Sequence, residues 1–286
     1  MKSYEHLVDI GDTRLNIVER GDGYPLMVFH GGPGLDHHEF ADYLDPLCDQ
    51  FRLILVDMRA QGKSDLCPET TWTLEQMAKD IVLLADVLGL KKYAVLGHSY
   101  GAFVVLQNAV DFPGHAAQTI VSGGIPSARF LSAVQENLQK LEPADVREKV
   151  IASWDREARV QTREEFAELM RDQMPFHFGN PLDPRLAEYD ERTKDTVYAP
   201  AMLRHFSQND YGSIEVEDRL KNVTQPVLVC TGRLDRVCTV PAADAMAKGL
   251  PNSELVIFEK SGHMTFVEEP ELYLKVVRDF LNKHME

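Results

Sequence analysis

The chain has 286 residues, 44% of them hydrophobic, enough for one large α/β domain or a domain carrying an insertion. Its formal net charge of −15 argues against nucleic acid and, less strongly, against anionic membranes as partners. Four cysteines without C-x-x-C spacing, no leader-like opening segment, and no apolar run near the ~18 residues of a membrane span lead us to expect a cytoplasmic protein with reduced thiols.

In chain order, Leu7 to Ile10 and Arg14 to Arg20 read as an antiparallel hairpin turning at Gly11-Asp12. Leu26 to Phe29 is an apolar strand running into His30-Gly31-Gly32-Pro33-Gly34, a loop rich in open backbone N–H groups. A short helix is expected over Glu39 to Leu47 and a strand over Arg52 to Val56. The polar loop Asp57 to Asp65 follows, and Asp57 and Arg59 read as a structural charge network at a strand end. Thr73 to Leu88 has apolar residues at spacings of three and four and is a helix, with Thr73 and Gln76 suited to a capping box.

Tyr93 to Leu96 is a buried strand, Gly97-His98-Ser99-Tyr100-Gly101 a G-x-S-x-G turn, and Ala102 to Val110 a helix. Strand, tight turn and helix raise the Ser99 hydroxyl at a strand tip and put the Tyr100 N–H at a helix start. Gln118 to Ser122 is a sixth strand.

Beyond Pro126 the rhythm changes. Amphipathic runs cover Ala128–Leu141, Ala144–Arg159, Arg163–Arg171, Leu186–Thr193 and Pro200–Phe206, broken by loop signals such as Pro175. We read residues 126–214 as a helical cap inserted into a core made of 1–125 and 215–286. An oligomer interface is the other use for such a segment, and the oligomeric state is left open. Strands resume at Pro226–Cys230 and Ser253–Phe258, with helices at Pro241–Leu250 and Glu269–Lys283. The sum is an α/β fold with a mostly parallel, doubly wound, eight-stranded sheet. Such sheets bind ligands at the carboxyl ends of their strands.

A serine hydroxyl needs a base, and the base needs an orienting group. Of ten histidines, His263 stands just past the last strand in the Gly-flanked loop Ser261-Gly262-His263. Asp235 follows the seventh strand, while Val121 to Gln135 holds no acid. The order Ser99, Asp235, His263 therefore reads as nucleophile, orienting acid and base. The N–H groups of Gly32 and Tyr100 are the expected oxyanion donors. Gly31 and the cap residue His205 are candidate substrate contacts. No metal-ligand spacing and no nucleotide-binding pattern occurs, so neither a metal nor a cofactor is expected.

These motifs, with Asp57-x-Arg59-x-x-Gly62-x-Ser64, resemble the α/β-hydrolase superfamily and within it the proline iminopeptidase group. The resemblance covers about 1–125 and 215–286 and implies the same triad, with Gly32 and Tyr100 as the oxyanion hole. It also implies acids in the cap and beside the catalytic Asp that hold a substrate ammonium. Glu191 is the cap candidate, but Arg236, a cation, follows Asp235. The expected partner is a small-molecule or short-peptide substrate. The leading reading is a serine hydrolase cleaving a small ester, lactone or amide, including an N-terminal peptide bond, through an acyl-enzyme on Ser99. The alternative is a carboxylesterase or acyl-homoserine lactonase without aminopeptidase activity, ahead of a carbon–carbon bond hydrolase and a non-catalytic receptor.

Overall fold

The computed structural model describes residues 3–285. The strands are β1 (Ser3–Asp9), β2 (Arg14–Arg20), β3 (Tyr24–Phe29), β4 (Phe51–Val56), β5 (Ala94–His98), β6 (Gln118–Ser122), β7 (Val227–Gly232) and β8 (Ser253–Phe258). They form one eight-stranded sheet in the order β1-β2-β4-β3-β5-β6-β7-β8. β2 pairs antiparallel with β1 and β4, and every other pairing is parallel. The hairpin register sets Asp9 against Arg14. β1 begins at Ser3, ahead of the apolar pattern, because this edge strand is mostly exposed and pairs through its backbone.

Alternation along the buried strands splits the interior into two cores. Met27, Phe29, Ile54, Val56, Val95 and Val121 face one side. There they meet the helices α1 (Leu74–Val87) and α2 (Tyr100–Asp111). Leu26, Val28, Leu53, Leu55, Leu96 and Ile120 face the other. Between β6 and β7 the chain forms α3 (Ser132–Gln139), α4 (Ala144–Trp154), α5 (Arg163–His177), α6 (Arg185–Arg192) and α7 (Pro200–Ser207). The two ends of this helical segment bond to each other, Ala128 N–H to Ile214 O (2.8 Å) and Val216 N–H to Pro126 O (2.9 Å). α8 (Val240–Gly249), α9 (Thr265–Glu268) and α10 (Pro270–Lys283) complete the chain. α8 packs on the first core and α10 on the second. Among the described residues no helix is long and apolar enough to cross a membrane.

Three local expectations change. The helix expected at Glu39–Leu47 is two 3-10 turns, His37–Phe40 and Asp45–Asp49. Ala41, at φ 43°, breaks the run, and Pro46 has no N–H to continue it. α5 runs through Pro175 to His177, so this proline lies inside the helix instead of ending it. Thr73 caps α1 by accepting the Gln76 N–H (3.1 Å), but the Gln76 side chain turns to Asp80 (3.0 Å), so only half of the capping box forms.

Arg59 is fully buried, and Asp80 grips its guanidinium at both Nε and Nη2 (2.6 Å each). Asp57 accepts from Asn16 (2.9 Å) and from the Lys63 and His37 N–H groups (2.9 Å each). Its other partner is His37 Nδ1 (2.7 Å). Both charges fasten the β4 loop to its surroundings. Asp80→Ala leaves the buried guanidinium with only the longer Asp12 contact (3.3 Å) and should cost about 3 kcal/mol, read from the shift in urea midpoint.

Candidate active site

β5 and α2 meet at a point where side chains do not fit. A Cβ on Gly97 would lie 2.1 Å from the Gly101 carbonyl oxygen, and one on Gly101 would lie 2.2 Å from that of Phe29. The chain turns through Ser99 at φ 53° and ψ −117°, a strained conformation for a residue with a side chain. Ser99 is half-buried where its neighbours His98 and Tyr100 are fully buried. It lines a cavity of about 700 Å³ that the helical segment roofs with Trp154, Phe166, Met170 and Leu203. Tyr100 is the first residue of α2, so its N–H has no intrahelical partner.

His263 lies on the same cavity wall. Its Nδ1 is 2.7 Å from Asp235 Oδ2, while Asp235 Oδ1 accepts the N–H groups of Val237 (2.8 Å) and Cys238 (2.9 Å). Asp235 thus fixes the Nδ1–H tautomer and leaves Nε2, a buried atom without a protein partner, as the basic nitrogen. Burial disfavours the imidazolium, but the Asp235 charge and hydrogen bond outweigh it, and the pKa of His263 is raised above 6.5. Gly123 gives the ring its space, since a Cβ there would lie 2.9 Å from His263 Cε1.

The glycine loop is held from three sides. His30 Nε2 accepts the Met58 N–H (3.2 Å), so its Nδ1 carries the proton and donates to Gly31 O (2.8 Å). Gly31 N–H donates to Glu39 (2.5 Å), and Gly34 N–H to Gln61 (2.6 Å). In a trans peptide the N–H opposes the C=O. The grip on Gly31 O therefore turns the Gly32 N–H the other way, and Gly32 lines the cavity beside Ser99.

Of the expected substrate contacts, Glu191 and His205 lie elsewhere. Glu191 is out in solvent, paired with Lys194. Tyr189 of α6 points inward, and a residue two positions further faces the opposite side of a helix. His205 packs edge-on against Trp72, 5.4 Å between ring centres, and does not line the cavity. Gly31 sits behind Ser99 in the glycine loop and is not a cavity-lining residue. Arg236 is also turned away. Its guanidinium donates to the carbonyls of Phe178 (2.6 Å), Gly179 (2.9 Å) and Phe176 (3.3 Å), at the negative end of α5.

The cavity instead holds acids that sequence reading passed over. Glu157 is buried, its carboxylate held by Tyr211 Oη (2.5 Å) and Gln173 Nε2 (2.6 Å), and burial raises its pKa. Asp155 and Asp210 line the rim. Asp210 and Tyr211 both carry positive φ, at 44° and 52°. Glu39 forms part of the floor, and burial pushes its pKa up to about 8. His177, on the wall, is lowered to about 4 by burial and by the neighbouring His263.

Known proteins share this fold. The sequence profile of the alpha/beta hydrolase fold matches residues 24–270. The proline iminopeptidase of Heyndrickxia coagulans is 30% identical over 289 residues, spanning 97% of this chain and 98% of that protein. The crystal structure of proline iminopeptidase from Mycobacterium smegmatis is similar at TM-score 0.76 and 25% identity, over 98% of each chain. An alpha/beta fold family hydrolase from Bacillus anthracis shares the fold at TM-score 0.79 and 22% identity, covering 98% of this chain and 99% of that one.

An imidazole NMR titration should place His263 above 6.5 in the native protein and lower in Asp235→Asn, where burial loses its main opponent. The sign for stability follows from the raised folded value. The ion pair stabilises the fold fully below 6.5, and that contribution fades as pH rises through the folded pKa.

Proposed function

The chain belongs to the alpha/beta hydrolase family, and from that premise we propose that it is a serine hydrolase working through an acyl-enzyme on Ser99. The observation that carries this reading is the strained Ser99 on the cavity floor, with the Asp235-held imidazole of His263 on the adjoining wall. Ser99 Oγ attacks the carbonyl carbon of the substrate, and His263 Nε2 takes the hydroxyl proton. Asp235 stabilises the imidazolium so formed. The oxyanion is held by the Gly32 and Tyr100 N–H groups. His263 then delivers its proton to the leaving amine or alkoxide, and water repeats the sequence on the acyl-enzyme. Residues 126–214 act as a cap that keeps bulk water from the acyl-enzyme.

Among substrates, we favour a short peptide with a free N-terminal residue, proline by analogy with the curated relative. The cavity offers Glu157, Asp155 and Asp210 to an ammonium. Among the described residues the one arginine or lysine lining it, Arg129, is engaged by Glu217 (2.7 Å). Arg236, the residue that argued against an amine, spends its charge on carbonyls of the α5 end. An ammonium entering the cavity supplies the countercharge that the buried Glu157 lacks. A small ester uses the same nucleophile and needs no amine anchor, so esterase activity is the second reading.

Purified protein should be assayed side by side on proline p-nitroanilide and p-nitrophenyl butyrate. Both rates should fall on the order of a millionfold in Ser99→Ala. Ester turnover without anilide turnover would remove the aminopeptidase reading, and activity surviving in Ser99→Ala would remove the serine mechanism. Glu157→Gln should raise KM about tenfold for the anilide and leave ester turnover unchanged, because it removes one charge-assisted contact to the amine.

A further inference from the structure

Glu39 has no part in the mechanism above, yet it is built into the site. It is 5% exposed and lies on the turn that follows the glycine loop. One carboxyl oxygen, Oε2, takes the Gly31 N–H at 2.5 Å. The other, Oε1, borders Gly31 on the side where Ser99 also approaches it. A Cβ placed on Gly31 would meet Glu39 Oε1 at 2.6 Å and Ser99 Cβ at 3.1 Å, so the carboxyl and Ser99 flank the same Cα.

The carboxyl has no cation to balance it. Among the described residues no lysine or arginine pairs with it. The groups that face it are His98 at the end of β5, His263 past β8, Asp36 on its own loop, Tyr189 on α6 and Tyr273 on α10. His98 Nε2 is 3.8 Å from Oε1, too far for a hydrogen bond, and both ring nitrogens of His98 are buried without partners. Burial and the neighbouring His263 and His177 keep His98 neutral. Asp36 adds a like charge, and only a protonated His263 offers an opposite one.

We propose that Glu39 is a positioning residue of this site, holding the Gly31–Gly32 peptides for the oxyanion while uncharged and shutting the site down when it ionises. The proposal rests on Ser99 acting as described above. With the Gly31 N–H bound at Oε2, the acid proton sits on Oε1, on the side of Ser99 and His98. In this state Glu39 and His30 fix the two peptides around Gly31 at no electrostatic cost. Loss of the proton sets a negative charge beside the place where the attacked carbonyl becomes an anion, and like charges oppose the transition state.

The test follows the rate at which a fluorophosphonate labels Ser99, because that reagent puts a phosphonyl oxygen into the same hole whatever the natural substrate is. Between about pH 5 and 10 the wild-type rate should fall about tenfold per unit beyond an alkaline break. The break should lie near 8, where Glu39 ionises. Glu39→Gln keeps an acceptor for Gly31 and should retain most of the neutral-pH rate while losing the break. Glu39→Ala releases the loop and should lose about 100-fold at every pH. A Glu39→Gln profile that keeps the break overturns the proposal while leaving Ser99 as the nucleophile. Failure of Ser99 to label at all overturns both.

Melting temperature gives a readout independent of labelling. The folded protein holds the Glu39 proton up to about 8, whereas an unfolded carboxyl releases it near 4.5. Wild-type protein should therefore lose stability relative to Glu39→Gln as pH rises between those values. A melting difference that stays constant with pH also overturns the proposal.

Discussion

The contact between Gly97 and the Gly101 carbonyl governs the architecture of the site. Only two residues without side chains let a strand at the middle of the sheet turn straight into a helix. The turn drives Ser99 into a positive-φ conformation that costs on the order of 1–3 kcal/mol. The surroundings enforce it. β5 is buried along its whole length between β3 and β6, and α2 is buried from Tyr100 to Val110. A strained serine at a rigid strand tip keeps its position, whereas the same residue on a loop would relax.

Around that serine the charges are sorted rather than spread. Asp235 has its oxygens satisfied by two backbone N–H groups and one imidazole, so its charge is directed onto His263. Burial, and after it the charge of the same imidazole, push His98 and His177 toward their neutral forms. Only one ring in this cluster is thus prepared to accept a proton.

The strands were legible because β3 to β7 are buried on both faces and read as apolar runs. Ser99, Asp235 and His263 were legible because each stands just past a strand end, where turn residues announce themselves. Side-chain direction was not legible. Arg236 follows Asp235 in sequence, but only the folded chain brings the α5 carbonyls to it. Glu157 and Tyr211 are 54 residues apart, and nothing local marks their hydrogen bond. Glu39 sat in a stretch with a helical pattern, and the break at Ala41 and Pro46 that turns it inward is a tertiary outcome. Glu191 shows the converse: an acid in the expected region of the chain, carried by the helix to its wet face.

The end of α5 is stitched to the base. The His263 N–H donates to the His177 carbonyl (2.6 Å), Arg236 closes over the next two carbonyls, and Glu268 accepts N–H groups from both Gly179 and Gly262 (2.8 Å each). Roof and base therefore share one seam. Lifting the helical segment along this edge would take away the backbone acceptor of His263 and loosen the ring from its alignment. In the reaction proposed above, opening this edge to water would also loosen the imidazole that activates that water.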